Sequence, residues 1–199
     1  MAGPLSADPV VIHVTESELS HTWLFSDPHF DHENITRYCD RPFRSVSEMN
    51  NVILDNWRRC IADDDLVFFL GDMCFGRGAR SARWWLSQLS GRKVYIKGSH
   101  DKGIRPTSVL GDGVVSIGLS AIIVTDTLSV LVVHEPSPLF IPYWWRGWVV
   151  HGHVHNNKPY IYKRRFLAGG RVNVSADVIE FAPVALRKVL DDIERFRGA

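Results

Sequence analysis

The sequence lacks the features that identify several large classes of protein. Its three cysteines are widely spaced and form no Cys-x-x-Cys pair, so neither a disulfide framework nor a zinc knuckle is indicated. The formal net charge is only +1, which argues against a strong positive field that would gather nucleic acid or anionic lipid. No apolar run is long enough to span a bilayer, and the N-terminal MAGPLSADPVV has no secretory pattern. These absences predict a cytoplasmic protein with no membrane partner.

The composition that remains is typical of a folded globular domain. Hydrophobic residues make up 45% of the chain and charged residues 23%. A chain of 199 residues can bury one sizeable core but is short for two, so residues 1–199 are predicted to form a single domain. Residues 1–20 are a candidate peripheral extension of it. Two local basic clusters, around Arg80 and Arg164, are interpreted as solvated surface, with attraction of phosphate as the alternative.

Short β-branched and aromatic runs predict seven strands. They cover residues 21–26, 66–70, 94–97, 121–124, 128–134, 148–151 and 172–175. Helical spacing of apolar residues after a Ser45–Glu48 capping box predicts a helix in SVSEMNNVILDNWRRCI, and two more are predicted over residues 79–89 and near the C-terminus. Strands alternate with helices in the first half and dominate the second, which predicts an α/β fold with sheets covered by helices.

The stretch VVHGHVH, residues 149–155, places three of the nine histidines on alternate positions. Residues two apart share one face of a strand, and Gly152 indicates that the strand ends among them. Imidazole is a preferred ligand of Zn, Mn and Fe rather than Ca. The pattern therefore predicts a metal site at a strand end, against the simpler alternative of polar residues that cap a strand.

Other predicted strands also end in side chains that can bind metal. Together with the histidines of VVHGHVH, the candidate donors are Asp27, His29, Asp72, His134, His153 and His155. Residues that follow the strands of an α/β sheet converge at its carboxyl edge. Two carboxylates and four imidazoles exceed one tetrahedral ion but suit two ions that share a bridging carboxylate. A binuclear site is the economical interpretation.

The ordered series D-x-H, GD, G-x-H-D, H and G-H-V-H resembles the calcineurin-like metallophosphoesterase superfamily. The longer run DPHFDHENI…RPF…GD…GSHD…HGHVHN…NVSADVIEFAPVAL is similar to its small, compact bacterial and phage-type members. The resemblance extends from about Trp23 to Leu186, and five motifs in order are specific where one alone is weak. It implies a four-layer α/β/β/α metallophosphoesterase sandwich, in which two packed mixed β-sheets are flanked by helices.

The resemblance also implies what each donor binds. The first ion would be held by Asp27, His29 and His155, the second by His134, His153 and Ser99, with Asp72 bridging the two. It implies two divalent ions, with Mn preferred and Fe, Zn, Ni or Mg as alternatives. The implied reaction is hydrolysis of a phosphodiester or phosphomonoester by in-line attack of a metal-bridging hydroxide, with His100 as general acid and Asp101 as its orienting partner.

Ser99 departs from the pattern of the superfamily, which has asparagine at this position. A neutral hydroxyl is a shorter and weaker ligand than an amide oxygen, so we expect lower occupancy of the second metal site. Three further residues are predicted to face the substrate: His32, Asn34 and Arg41, the last by a bidentate contact with phosphate. Asn34 could instead cap the following turn, and Arg41 could be surface. His151 is predicted to be packing or support for a ligand.

Three functions follow from these motifs. The first is a metal-dependent phosphodiesterase or phosphatase acting on a small phosphate ester. The second is a nuclease, which has the same chemistry and a different groove; the near-neutral charge counts mildly against it. The third is a weakly active or non-catalytic binding module, as the retromer subunit of the superfamily illustrates. His100 argues against the third function and Ser99 argues for it. The sequence leaves the substrate, the native metal and the oligomeric state open.

Overall fold

The computed structural model describes residues 9–104, 111, 113–163 and 170–198. The first eight residues of the candidate N-terminal extension lie outside this description, as do Arg164 and Arg165 of the second basic cluster. Of the remaining extension, Val10–His13 forms an edge strand and Glu16–His21 a 3₁₀ helix.

Two mixed sheets and four helices make up the described part of the chain. The strands are β1 (Val10–His13), β2 (Thr22–Phe25), β3 (Leu66–Phe69), β4 (Arg92–Ile96), β5 (Val114–Gly118), β6 (Ser120–Val124), β7 (Ser129–Val133), β8 (Trp148–His151), β9 (Ile161–Lys163), β10 (Gly170–Asn173) and β11 (Val184–Ala185). The helices are α1 (Ile35–Tyr38), α2 (Val46–Cys60), α3 (Ala82–Leu86) and α4 (Leu186–Gly198).

The order and direction of the strands show where their carboxyl ends lie. One sheet runs β11-β2-β3-β4-β5 and the other β1-β6-β7-β8-β10-β9. Strands β2, β3, β4 and β5 are parallel, as are β7, β8 and β10, so each sheet has a set of carboxyl ends on one side. The predicted α/β fold with two mixed sheets flanked by helices is confirmed.

Strand β3 shows why the sheets stack. Its side chains alternate: Val67 and Phe69 lie in a cluster with the helix residues Ile53 and Trp57, whereas Phe68 lies in the cluster between the sheets with residues such as Val132 and Val150. All are fully buried. A strand buried on both faces is a continuous apolar run, as LVFF is. The core is therefore a sandwich in which β3 is central.

Local chemistry sets the helix ends. Ser45 accepts a hydrogen bond from the Glu48 backbone N–H at 3.1 Å, so the predicted capping residue starts α2. The helix predicted over residues 79–89 is shorter, Ala82–Leu86. It begins after Ser81, whose side chain caps it by accepting a hydrogen bond from the Trp84 backbone N–H at 3.2 Å. The preceding Arg80 donates to Asp31 through its backbone N–H and its guanidinium.

Candidate metal centre

The carboxyl ends of the two sheets meet, and the predicted donors lie at that junction. Asp27 follows β2 and Asp72 follows β3, and the Asp27 backbone N–H donates to the Gly71 carbonyl at 3.1 Å. His153 follows β8 in the other sheet, and its backbone N–H donates to Asp27 Oδ2 at 2.8 Å. The Asp27 carboxylate thus joins the loops of both sheets.

The first donor group consists of Asp27, His29 and His155, and one ligand atom from each lies within 4.8 Å of the others. His29 Nε2 is 3.9 Å from Asp27 Oδ1. Asp27 Oδ1 and both ring nitrogens of His29 are buried and have no hydrogen-bond partner among the described residues. Buried polar atoms without a partner are rare, and a bound ion is one way in which they are satisfied. These atoms fit a divalent ion.

The second donor group consists of Asp72, His134 and His153, again within 4.8 Å. His134 Nε2 lies 3.4 Å from Asp72 Oδ2 and 3.2 Å from His153 Nδ1. The same Asp72 oxygen lies 3.6 Å from His29 Nε2 of the first group. One carboxylate therefore lies between two groups of donors, and mixed imidazole and carboxylate donors suit Zn, Mn or Fe.

Hydrogen bonds set which ring nitrogen each histidine presents. His134 Nδ1 donates to the Leu70 carbonyl at 2.6 Å, so Nε2 is the atom turned to Asp72. His155 Nδ1 donates a hydrogen bond to Asp177 Oδ2 at 2.7 Å, so Nε2 is the ring nitrogen that can bind an ion. Metal-binding histidines commonly have such a second partner, because it fixes the tautomer and the orientation of the ring.

The charges of the site favour cation binding. Burial lowers the pKa of His29 to about 3, so its ring is neutral and has a lone pair to offer. Burial alone would lower the pKa of His134 as well, but the Asp72 and Asp27 carboxylates raise it to about 9. Burial would also lower the pKa of His155, but its hydrogen bond to Asp177 outweighs burial and raises the pKa to about 10. His134 and His155 are therefore protonated when no metal is bound, and a metal ion would replace one proton on each ring.

The backbone is strained at most of the donor positions. Left-handed φ angles occur at five of the six predicted donors: Asp27 (59°), His29 (50°), Asp72 (54°), His153 (70°) and His155 (48°). Residues other than glycine seldom adopt this region, and each costs on the order of 1–3 kcal/mol. Strain of this kind gathers at functional sites, where the surrounding structure maintains it.

Two glycines of the motifs are needed for close approach. A Cβ on Gly152 would lie 2.0 Å from Ser26 Oγ and 2.3 Å from Asp27 Oδ2. A Cβ on Gly98 would lie 2.2 Å from Asp72 Oδ1. In each motif the glycine therefore makes room for a carboxylate at the end of another strand, which for Gly152 belongs to the other sheet.

Arg41 does not face a substrate, contrary to the prediction. Its side chain is fully buried. All five N–H groups of the guanidinium donate hydrogen bonds. Nε and Nη2 donate to Asp177, Nη2 also donates to the Asp27 carbonyl, and Nη1 donates to the Pro28 carbonyl and the Met49 sulfur. No donor remains for a phosphate. Arg41 instead fixes the loop that carries Asp27.

Asp101 also has a different place from the one predicted. Its carboxylate accepts hydrogen bonds from the backbone N–H groups of Gly98, Asp72 and Met73, at 2.8, 3.0 and 3.2 Å. No bond between it and the His100 ring occurs among the described residues. Three backbone donors occupy both carboxylate oxygens, so Asp101 holds two strand-end loops together rather than orienting His100.

Asp177 contacts the candidate site but was not among the residues predicted from the sequence. It lies in the 3₁₀ turn Ala176–Val178 and accepts hydrogen bonds from both His155 and Arg41. The positive charge of these two partners lowers the pKa of Asp177 to about 2 against the effect of burial. A signal was present, because Asp177 lies two residues after the predicted strand over residues 172–175, and the predicted donors also lie just after predicted strands.

Of the remaining predicted residues, Ser99, His100 and His32 contact donor residues. Ser99 is exposed and its Oγ donates to Asp72 Oδ2 at 3.2 Å. The exposed His100 ring lies 5.4 Å from that of His29 between centroids. His32 is largely buried and its Nδ1 accepts from the Ile35 backbone N–H. Asn34 is exposed and occupies the N-cap position of α1, but its side chain makes no capping hydrogen bond. Their roles stay predictions.

His151 lies apart from both donor groups, as expected for a packing residue. It is fully buried, its Nδ1 donates to the Gly152 carbonyl at 2.8 Å, and its Nε2 accepts from the Tyr162 hydroxyl at 3.1 Å. Both ring nitrogens are therefore engaged within the fold.

No helix in the described part of the chain combines the length and the apolar character needed to cross a bilayer.

Comparison with known proteins identifies a family. No family model matches the sequence. A protein of Methanocaldococcus jannaschii, named "Uncharacterized protein MJ1445", is 35% identical over 178 residues, which cover 87% of this chain and 91% of the relative. This chain belongs to the MJ1445 family. A second relative, the Gene 66 protein of Mycobacterium phage L5, is 33% identical to an 85-residue part of the chain, 41% of the phage protein.

A solved structure shares the fold of this chain. The protein of unknown function AQ665 from Aquifex aeolicus superposes with a TM-score of 0.63 over 86% of this chain and 98% of its own, at 23% identity. This likeness concerns the fold alone. Vps29 from Chaetomium thermophilum matches 78% of this chain and 71% of its own at a TM-score of 0.39 and 11% identity, a similarity too distant to carry an argument.

Replacement of Gly152 by alanine tests the close approach. The added methyl group would collide with the Asp27 carboxylate, so Gly152→Ala should lower the Mn²⁺ content of the protein at least several-fold. Gly118→Ala is the matched control, because its Cβ would meet nothing nearer than 3.4 Å. Metal content after equilibration with Mn²⁺ and gel filtration is the measurement. Equal content in both variants would contradict the packing described for Gly152.

The raised pKa values of His134 and His155 predict that metal binding depends on pH. Both rings are protonated below about pH 9 in the metal-free protein, so each ion must displace about one proton. The apparent affinity of each group should rise about tenfold per pH unit between about pH 6 and pH 8. Calorimetric titration with Mn²⁺ in two buffers of different ionisation enthalpy measures the released protons, and an affinity that is independent of pH would refute the assignment.

Proposed function

We propose that this chain is a metal-dependent phosphoesterase of the calcineurin-like metallophosphoesterase superfamily that uses two divalent ions, with Mn as the first candidate. One observation carries the proposal: the Asp72 carboxylate lies between two donor groups at the junction of the sheets. The ordered motifs of the sequence add to it. The substrate is proposed to be a phosphodiester or phosphomonoester.

In this proposal, each residue of the site has a role in binding an ion or in positioning a ligand. Asp27, His29 and His155 would hold one ion, His134 and His153 the other, and Asp72 both. Two ions held in this way supply Lewis acidity toward a phosphoryl group and lower the pKa of a bound water. Around them Asp177, Arg41 and Asp101 fix the loops, so the donors need little rearrangement when substrate arrives.

His100 is proposed to protonate the leaving oxygen. Its backbone N–H donates to Asp72 Oδ1 at 2.7 Å, which anchors the residue beside the proposed bridging carboxylate. Its ring is exposed and packs edge-on against His29 and Phe75. An imidazole that is fixed at its base and open to solvent at its tip can deliver a proton to an alkoxide.

A second candidate function is a binding module with little or no activity. The observation that favours it is the hydrogen bond between Ser99 Oγ and Asp72 Oδ2, because a hydroxyl that donates to the carboxylate is turned to that group and not to an ion. Weak occupancy of the second group would leave the protein able to bind phosphate esters without turning them over.

Three substrates separate the candidate functions. With Mn²⁺ present, the phosphoesterase should hydrolyse bis-4-nitrophenyl phosphate or 4-nitrophenyl phosphate in preference to single-stranded DNA, whereas a nuclease would degrade DNA best. If a protein with full metal content hydrolyses none of the three, the phosphoesterase proposal fails and the binding module is favoured.

His100→Asn tests the proton transfer. We expect metal content to stay the same while turnover of an alkyl phosphodiester falls by about 10²–10⁴-fold, because an alkoxide needs a proton to leave. Turnover of 4-nitrophenyl esters should fall far less, since nitrophenolate leaves unaided. His13→Asn, at an exposed position of β1, is the control. Unchanged turnover of the alkyl ester would exclude His100 as the acid.

Ser99→Asn tests the departure from the superfamily pattern. The longer side chain places an amide oxygen where it can reach an ion, so metal stoichiometry and the rate of diester hydrolysis should both increase. Ser47→Asn, at an exposed position of α2, is the control. If neither quantity rises in Ser99→Asn while the control behaves as wild type, weak occupancy at the second group is not due to Ser99.

A further inference from the structure

A row of rings leads away from the donor groups to the surface. His29 packs against His32 and His100 with centroids 5.6 and 5.4 Å apart. Phe75 lies across both, 5.0 Å from His32 and 4.6 Å from His100. Tyr38 continues the row 6.2 Å from His32. We refer to His32, Tyr38, Phe75 and His100 as the aromatic rim.

Phe75 is a fixed yet open member of the rim. Its backbone N–H donates to the Phe30 carbonyl at 3.2 Å, and a bridge between Phe30 and Cys74 supports the same turn. Its ring is near-parallel to the His32 ring, with 26° between the planes. Even so, 39% of the residue is exposed, and Tyr38 is 74% exposed. The backbone is held in place while ring surface remains available to a ligand.

The position of the rim limits what such a ligand can be. Each route from His29 to Phe75 passes through one imidazole, so Phe75 stands two ring spacings from the donors that would hold a phosphate ester. A nucleotide has a comparable arrangement, because one ribose separates its phosphate from a planar base. Bases stack on aromatic side chains with little dependence on their identity.

We propose that Phe75, with Tyr38 beside it, stacks a nucleobase of the substrate, so that the phosphate esters taken by this site are nucleoside phosphates. The inference deepens the proposed function and rests on the phosphate being held at the donor groups. Phe75 is on this view a specificity-determining residue. It takes no part in proton transfer or metal binding.

Paired ligands isolate the contribution of the base. Adenosine 5′-monophosphate and ribose 5-phosphate share phosphate and sugar and differ in the base alone. Their inhibition constants against 4-nitrophenyl phosphate turnover are measured on the Mn²⁺ protein, and if there is no turnover their dissociation constants are measured directly by calorimetry. The second route keeps the test valid even if the proposed activity fails.

The ratio of the two constants is the readout. Wild type should bind the nucleotide about 5- to 100-fold more tightly than the sugar phosphate, the range that stacking of one base supports. Phe75→Ala should reduce the ratio to near unity with ribose 5-phosphate binding unchanged, Phe75→Trp should keep it, and Tyr38→Ala should lower it in part. A 5′-phosphorylated oligoadenylate distinguishes a strand end from a mononucleotide as the source of the base: the ligand with the larger loss in Phe75→Ala is the source.

Phe140→Ala is the matched control, because Phe140 is also an exposed phenylalanine, at 38%, and does not belong to the rim. Its ratio should equal that of wild type. Equal binding of nucleotide and sugar phosphate by wild type would overturn the proposal. An equal loss of both ligands in Phe75→Ala with full recovery in Phe75→Leu would also overturn it, because an aliphatic side chain that suffices means packing and not stacking.

Discussion

Two carboxylates that are cut off from water, those of Asp27 and Asp72, determine how the sheet ends are built. Each is almost completely buried. A buried charge is tolerated only with opposite charge and hydrogen bonds around it. Here backbone N–H groups of His153 and His100 and the imidazole of His134 provide part of that compensation. One oxygen of Asp27 has no partner in the described structure, and a cation would supply it.

The surrounding polar residues serve these two carboxylates indirectly. Arg41 joins the Asp27 loop to Asp177, and Asp177 in turn orients His155. Asp101 joins the loops after β3 and β4 through three backbone N–H groups. Loops from distant parts of the chain are thus linked by side chains that bind no ligand themselves. Such support is what allows donor geometry to be maintained before an ion arrives.

Much of this arrangement is visible in the sequence, and the reasons for the rest are physical. Apolar runs and a capping box predict the central strands and α2, because burial and helix initiation act locally. The strands that were missed, β1, β5, β9 and β11, span two to five residues and include sheet-edge positions, where a weak local pattern is completed by pairing. The motifs at strand ends predicted that six donors lie close together, because parallel strands end at the same edge of a sheet. The partners of Arg41 and Asp101 depend on which loops meet in space, and no spacing along the chain encodes that.

The left-handed backbone at the donor positions has a consequence for which replacements evolution can accept. Aspartate, asparagine and histidine enter this region more readily than other side chains, and β-branched residues hardly at all. Ligand chemistry and turn chemistry therefore select the same few residue types at Asp27, His29, Asp72, His153 and His155. A glutamate could coordinate a cation equally well, yet the bend in the main chain would disfavour it. Conservation at these sites would report on conformation as much as on coordination.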